Sequence, residues 1–165
     1  MIDEYCETDV LIIGCGIAGG AAALRLAEAG FRVTVVTRAA ELHESNTYYA
    51  QGGIIHRGPG DSPELLAQDI LKAGAGLSNP QAVRILAEEG PRLLQKVLIE
   101  QLQVPFAKRT DGSLDYTREG AHSTERILYV GDTTGRAIEE KLVQRLRETP
   151  NIQLLTRYTA VDLLT

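Results

Sequence analysis

The sequence is poor in cysteine, has no excess of basic residues and shows no grouping of metal ligands. Its 165 residues include two cysteines and carry a formal net charge of −5 at pH 7. Two cysteines do not suggest a disulfide framework and fit a reducing, intracellular setting. The acidic balance argues against a basic face for nucleic acid. No spacing of His, Cys and Asp indicates a metal site, and no serine lies in a nucleophile elbow.

A long membrane-spanning run is also missing. Residues 10–24 are apolar enough to imitate a signal peptide, but the run is too short to span a bilayer. The residues before it are acidic where a signal peptide needs positive charge. These are Asp3, Glu4, Glu7 and Asp9. We therefore expect a cytoplasmic protein with no targeting segment and no membrane contact.

What the sequence does contain is an alternation of apolar strands and helical segments. DVLIIG (9–14) and FRVTVVT (31–37) are β-branched runs of the kind buried in a parallel sheet, and residues 17–29 between them have a helical pattern. This spacing predicts a right-handed βαβ unit. NIQLLT (151–156) is predicted as the third parallel strand. The predicted fold class is therefore α/β.

Between these elements the pattern predicts a long loop over 38–61 and a series of helices. Ser62-Pro63 and Asn79-Pro80 are typical helix starts, with a cap followed by proline. Gly90-Pro91 is expected to restart a further helix that ends near Leu102. The last helix follows Asp132-Thr133-Thr134, and its triplet Glu139-Glu140-Lys141 is expected on a solvated face. YTAVDLL (158–164) is predicted as one more strand.

The loop GCGIAG follows the first strand and opens the first helix. Its glycines have the GxGxxG spacing, which serves a tight turn, the close approach of a pyrophosphate and close helix–strand packing. The N-terminus of the helix would face the phosphates. We therefore predict a dinucleotide at this loop, bound by Gly14, Cys15, Gly16, Ile17, Ala18 and Gly19.

The second strand lacks the acidic residue that usually binds a ribose. It ends in Thr37-Arg38 instead. An arginine at this position is the usual partner of the 2′-phosphate of NADP. From these residues alone, an NADP-binding protein is therefore a competing hypothesis.

Five motifs together resemble those of one flavoprotein family. They are GCGIAG (14–19), SNTYYAQGGI (45–54), AGAGL (73–77), TREGAHSTERIL (117–128) and DTTGRAIEEKL (132–142). With them the chain resembles the N-terminal part of the succinate dehydrogenase and fumarate reductase flavoproteins, and within that family the L-aspartate oxidases. The resemblance implies a Rossmann-like FAD-binding domain with a central parallel sheet, incomplete on its C-terminal side.

The resemblance also implies which residues hold the cofactor. In this family the second strand commonly ends in a small hydroxyl residue and a base, so Arg38 is expected near the adenosine–phosphate half of FAD. The segment 46–53, called here the flavin loop, is expected to wrap the ribityl chain and the isoalloxazine ring. Its residues are Asn46, Thr47, Tyr48, Tyr49, Ala50, Gln51, Gly52 and Gly53. Asn46 stands where respiratory members carry a histidine joined to the flavin, which implies non-covalent FAD.

A carboxylate at Glu119 implies an amino-acid substrate. Members that act only on dicarboxylates typically have an apolar aromatic residue there, whereas a carboxylate can pair with an ammonium group and orient Cα–H toward the flavin. His122 is a second candidate, either as a contact to substrate or flavin or as a residue that orders the loop. The implied reaction oxidises L-aspartate to iminoaspartate with oxygen or fumarate as acceptor. It is the first step of de novo NAD biosynthesis, with quinolinate synthase as the pathway partner.

By this resemblance the chain corresponds to about the N-terminal third of such a flavoprotein. We divide it into 1–58 (βαβ unit and flavin loop), 59–130 (helical excursion with the substrate-side loop) and 131–165 (returning helix and strands). The family's later proton-transfer and carboxylate-binding residues have no positions here, so the chain alone is expected to be inactive. Two alternatives stay open, a NADP-binding Rossmann oxidoreductase and a non-catalytic binding or assembly module with an exposed apolar edge.

Overall fold

The computed structural model describes residues 6–164, and their elements fall into two units. The first unit is Met1–Tyr49 with Ile138–Thr165, and the second is Ala50–Ala137. Within residues 6–164, no helix is long and apolar enough to cross a membrane.

A three-stranded parallel sheet organises the first unit. Its elements are β1 (Val10–Ile13), α1 (Ile17–Glu28), β2 (Val33–Thr37), a short α2 (Asn46–Tyr49), the greater part of α5 (Thr134–Arg147) and β5 (Ile152–Thr156). The strand order is β1-β2-β5, so β2 lies in the centre and is buried along its whole length. Val33 pairs with Val10 on one side and with Ile152 on the other. The α/β class and the third parallel strand are therefore as predicted.

Small residues let α1 and α5 approach closely. The buried face of α1 consists of Gly20, Ala23, Leu24 and Ala27. A Cβ added to Gly20 would lie 2.5 Å from Leu142 Cδ2 of α5. A side chain at Gly20 would therefore displace the buried Leu142 side chain or the helix that carries it, so glycine favours this close approach.

The second unit is mostly helical. It contains β3 (Ile54–Ile55), α3 (Pro63–Ala73), α4 (Pro80–Leu94), a π-helical segment (Gln95–Gln101) and β4 (Ile127–Leu128). The predicted caps are present, because Ser62 Oγ accepts a hydrogen bond from the Leu65 amide at 3.1 Å and Asn79 Oδ1 accepts one from the Gln81 amide at 2.9 Å. β3 and β4 pair antiparallel, with Ile54 opposite Leu128.

The predicted helix restart at Gly90-Pro91 is wrong. Pro91 lies inside α4, and the chain continues from α4 into the π-helical segment. Proline has no N–H for the carbonyl of Ala87, four residues earlier. That carbonyl accepts a hydrogen bond from Arg57 Nη2 at 2.8 Å instead. A contact from 30 residues away therefore supplies the donor that Pro91 lacks.

Two further expectations about the backbone need correction. The predicted loop 38–61 contains a short helix, α2, and the strand β3. Residues 158–164 are not a strand. At the start of this segment, the Tyr158 amide donates a hydrogen bond to the Thr37 carbonyl of β2 at 3.1 Å. Val161 and Leu164 further on are almost fully exposed.

Candidate functional site

A cleft of about 930 Å³ opens at the carboxyl ends of β1 and β2 in the first unit. Most of the predicted cofactor residues of this unit line it, namely Gly14, Cys15, Gly16, Ile17, Ala18, Gly19, Arg38, Asn46, Thr47 and Tyr49. Ser45 and Glu44 line it as well and were not predicted. Tyr48 does not line it, since its ring lies 4.8 Å from that of His43. The carboxyl ends of parallel strands are where nucleotides bind in such sheets.

The three glycines of the loop each disfavour a side chain, through backbone conformation at Gly14 and through lack of space at Gly16 and Gly19. Gly14 has φ +104°, a conformation that side-chain-bearing residues rarely adopt. A Cβ at Gly19 would lie 2.1 Å from the Gly14 carbonyl oxygen, and one at Gly16 would lie 3.2 Å from Thr47 Oγ1. The loop therefore leaves a bare backbone surface at the start of α1, which fits the diphosphate of a dinucleotide.

One N-terminal amide of α1 already has a partner. The Ile17 amide donates to Thr47 Oγ1 at 3.0 Å, which attaches α2 to the glycine loop. The Thr47 hydroxyl keeps its own proton to donate to another group. No acidic residue lies in the first turn of α1, so the positive end of the helix dipole is not neutralised there.

Arg38 lies at the end of β2, on the rim of the cleft. Its side chain is exposed and forms no ion pair with a residue between 6 and 164. It therefore offers a positive charge to an anionic ligand in the cleft.

The expectation of a solvated Glu139 is wrong. Glu139 is 0% exposed, and neither carboxylate oxygen has a hydrogen-bond partner among the described residues. Burial raises the pKa of Glu139 to about 7, and the nearby Ser45 hydroxyl opposes this rise without forming a hydrogen bond of normal geometry. Burial, reinforced by the charge of Glu139, also raises the pKa of the Cys15 thiol to about 11. Glu140 is exposed, as predicted for the triplet.

In the second unit, the structure brings Glu119 to the glycine pair of the flavin loop. Glu119 Oε1 accepts a hydrogen bond from the Gly53 amide at 3.1 Å. A Cβ at Gly53 would lie 2.6 Å from the Leu128 carbonyl oxygen, so only glycine fits beside β4. Glu119 itself is exposed, as are Ala50, Gln51 and Gly52. A substrate could therefore reach its carboxylate.

A buried arginine holds the segment that carries Glu119. Arg126 is 0% exposed and forms a two-point contact with Asp61, at 2.8 and 3.1 Å. Its Nη1 also donates to Asp69 Oδ2 at 2.6 Å. The same oxygen accepts hydrogen bonds from the backbone and side chain of Ser123, at 2.9 and 2.8 Å. We call these four residues the Arg126 network.

His122 extends this network rather than standing free. Its Nδ1 lies 3.2 Å from Arg126 Nη1. A guanidinium only donates hydrogen bonds, so Nδ1 must accept and the ring proton lies on Nε2. Two roles were predicted for His122, and this contact supports the one in which His122 orders the loop.

Comparison with known proteins agrees with this geometry. The family described as "FAD binding domain" matches residues 9–165. The chain belongs to this family. Its cofactor is therefore FAD, rather than the NADP that Arg38 alone left open.

Among individual proteins, the chain is 42% identical over 158 residues to the chloroplastic L-aspartate oxidase 2-b of Nicotiana tabacum, covering 95% of this chain and 24% of that protein. It is 41% identical over 172 residues to L-aspartate oxidase of Pseudomonas aeruginosa, covering 99% and 31%. A variant of E. coli quinol fumarate reductase has a similar fold, with a TM-score of 0.84 and 27% identity over 91% of this chain and 26% of that one. The chain thus spans about a quarter to a third of the length of these proteins.

Proposed function

We propose that this chain forms the FAD-binding and substrate-orienting part of an L-aspartate oxidase, which oxidises L-aspartate to iminoaspartate with oxygen or fumarate as acceptor. Two relatives named L-aspartate oxidase support the choice of reaction. The observation that carries it is the position of Glu119 against Gly53 of the flavin loop, at 3.1 Å.

In this proposal, the cleft of the first unit holds the cofactor. The backbone of Gly14–Gly19 and the positive end of α1 face the diphosphate, Arg38 lies toward the adenosine–phosphate half, and Thr47 donates its hydroxyl proton. Asn46 carries a side-chain amide, which is not a nucleophile, so FAD is held without a covalent bond. Ala50–Gly53 extend the loop toward the isoalloxazine ring. FAD supplies the two-electron oxidation of the substrate.

Glu119 selects the amino acid in this proposal. Its Oε1 is held by the Gly53 amide, which leaves Oε2 to pair with an ammonium group. That pairing fixes the substrate nitrogen, and with it the direction of the Cα–H bond. The Arg126 network keeps the backbone from Ser123 to Arg126 in place, so the carboxylate does not move away when the ammonium binds. His122 orders the same loop.

The wider setting follows from the reaction. The product would enter de novo NAD biosynthesis, where quinolinate synthase consumes it, and we propose that the protein acts in the cytoplasm. We also propose that 1–58 serves the cofactor, 59–130 the substrate side, and 131–165 the return to the sheet.

The test replaces Glu119 by glutamine. Because the chain spans 31% of the Pseudomonas aeruginosa protein, we would exchange it for the matching segment of that protein and assay the chimera. In E119Q, kcat/KM for L-aspartate should fall about 10- to 100-fold, as expected when a charged hydrogen bond is lost, whereas fumarate reduction should change little. E125Q, an equal charge change at an exposed position of the same segment, is the control. Equal losses of both activities in E119Q would contradict the assignment of aspartate.

A further inference from the structure

Glu139 lies behind the cofactor cleft, and the proposed oxidation does not use it. It is part of the α5 surface that faces α1, three residues before Leu142, which meets Gly20. Its two polar neighbours, Cys15 and Ser45, both line the cleft, whereas Glu139 does not. The carboxyl group is therefore separated from a bound ligand by the residues that would touch it.

No cation compensates this carboxyl group within the described part of the first unit. Cys15 of the glycine loop is a neutral thiol, since its pKa is raised to about 11. The first two turns of α1, residues 17–24, hold no titratable side chain. The segment before α2 contributes His43 and Glu44, and α5 itself contributes the exposed Glu140. Arg147 acts on Cys15 and does not lower the pKa of Glu139.

An ionised carboxylate in this place is unfavourable for two reasons. It would be a buried charge without a hydrogen bond or a counter-ion. It would also repel a diphosphate bound on the other side of Cys15 and Ser45, across a region with little water to screen the charges. A neutral carboxylic acid avoids both effects and fills the same space.

We propose that Glu139 is a positioning residue for FAD, and that its carboxyl group must carry a proton while the cleft binds the diphosphate. The inference rests on FAD as the cofactor of this cleft, not on the choice of aspartate as substrate. It follows that FAD binding takes up a proton when the free protein has lost it. Free Glu139 loses its proton near pH 7, so affinity for FAD declines as the pH rises through that value.

The experiment measures FAD binding by the chain at about pH 6 and about pH 8.5, by flavin fluorescence and by calorimetry in two buffers of different ionisation enthalpy. Wild-type affinity should fall about tenfold between the two pH values, as expected if the diphosphate raises the pKa of Glu139 by about one unit. Calorimetry at the higher pH should show net proton uptake. E139Q mimics the neutral acid and should bind nearly equally at both pH values. E140Q makes the same charge change at an exposed position of α5 and should follow the wild type.

Each outcome decides the inference. Wild-type binding that does not depend on pH, or an equal pH dependence in E139Q, would overturn the role of Glu139 while leaving the cofactor and the aspartate reaction untouched. Absence of FAD binding at both pH values would overturn this role together with the cofactor assignment. If E139Q fails to fold, proton uptake by the wild type still decides, and no uptake at about pH 8.5 would refute the coupling.

Discussion

Replacing Arg126 by methionine should destabilise the protein strongly, and more so at neutral than at acidic pH. Methionine nearly matches the volume of arginine but removes the guanidinium that Asp61 and Asp69 share, and the side chain of Asp61 is 0% exposed and that of Asp69 is 12% exposed. Removing one partner of a buried ion pair costs about 3–5 kcal/mol. For a chain of this size, that corresponds to a fall in Tm of about 6–20 °C.

The pH dependence separates lost charge pairing from lost packing. Burial alone would raise the pKa of Asp69, but hydrogen bonds from Ser123 and Arg126 outweigh it and lower this pKa below its usual value of 3.8. In the wild type, the stability contributed by Asp69 is therefore present above pH 3.8 and is lost as the pH falls through the lowered pKa. In R126M the two hydrogen bonds from Ser123 remain, but the hydrogen bond and the charge of Arg126 are gone, so the pKa of the folded Asp69 should be higher than in the wild type. The stability deficit of R126M should therefore shrink as the pH falls from about 7 to about 5.

The assay is thermal unfolding followed by circular dichroism, at both pH values, for wild type, R126M and R92M. Arg92 pairs with Glu89 on the surface of α4, where its side chain is 68% exposed, so the same substitution there should change Tm little. Two results would refute the reasoning. One is a similar loss of Tm in R126M and R92M, and the other is a deficit in R126M that is as large at about pH 5 as at about pH 7.

Two further predictions concern the cleft of the first unit. The chain should bind FAD with a saturable change in flavin fluorescence and should not bind NADPH. A preference for NADPH would instead support the hypothesis that Arg38 binds the 2′-phosphate of NADP. Thr47→Val removes the hydroxyl that accepts the Ile17 amide at 3.0 Å, so FAD affinity measured by the same titration should fall about three- to tenfold. Thr47→Ser keeps that hydroxyl and should bind like the wild type, whereas an equal loss in Thr47→Ser, or no loss in Thr47→Val, would contradict a role for the hydroxyl.

Local sequence signals predicted much of the backbone. The β-branched runs, the glycine spacing and the Ser-Pro and Asn-Pro caps each act within a few residues, so they predict the strands, the glycine loop and the starts of α3 and α4. The helix restart predicted at Gly90-Pro91 was wrong because the contact that decides it is not local. The donor that satisfies the Ala87 carbonyl belongs to Arg57, and no pattern near Pro91 could reveal it.

The candidate site shows the same contrast between local signals, which the sequence reveals, and contacts between distant residues, which it does not. The glycine loop was predicted from its spacing and the flavin loop from the family resemblance, and the glycine loop lines the cleft together with Asn46, Thr47 and Tyr49 of the flavin loop. Glu139 was missed because it adjoins another acid and a lysine, which is the usual composition of a solvated helix face, and only the packing of α5 on α1 buries it. The Arg126 network was missed because Asp61 and Asp69 lie more than 50 residues away in the chain. Distant pairings of this kind leave no periodic signal.

Burial of the Arg126 network also sets how the protein responds to salt. Exposed pairs such as Arg25–Glu28, with side chains 74% and 48% exposed, are reached by counter-ions and weaken as ionic strength rises. The pair between Arg126 and Asp61, with both side chains 0% exposed, is shielded from those ions. Concentrated salt should therefore weaken the exposed ion pairs. The buried pair, which holds the segment that carries Glu119, should be affected much less.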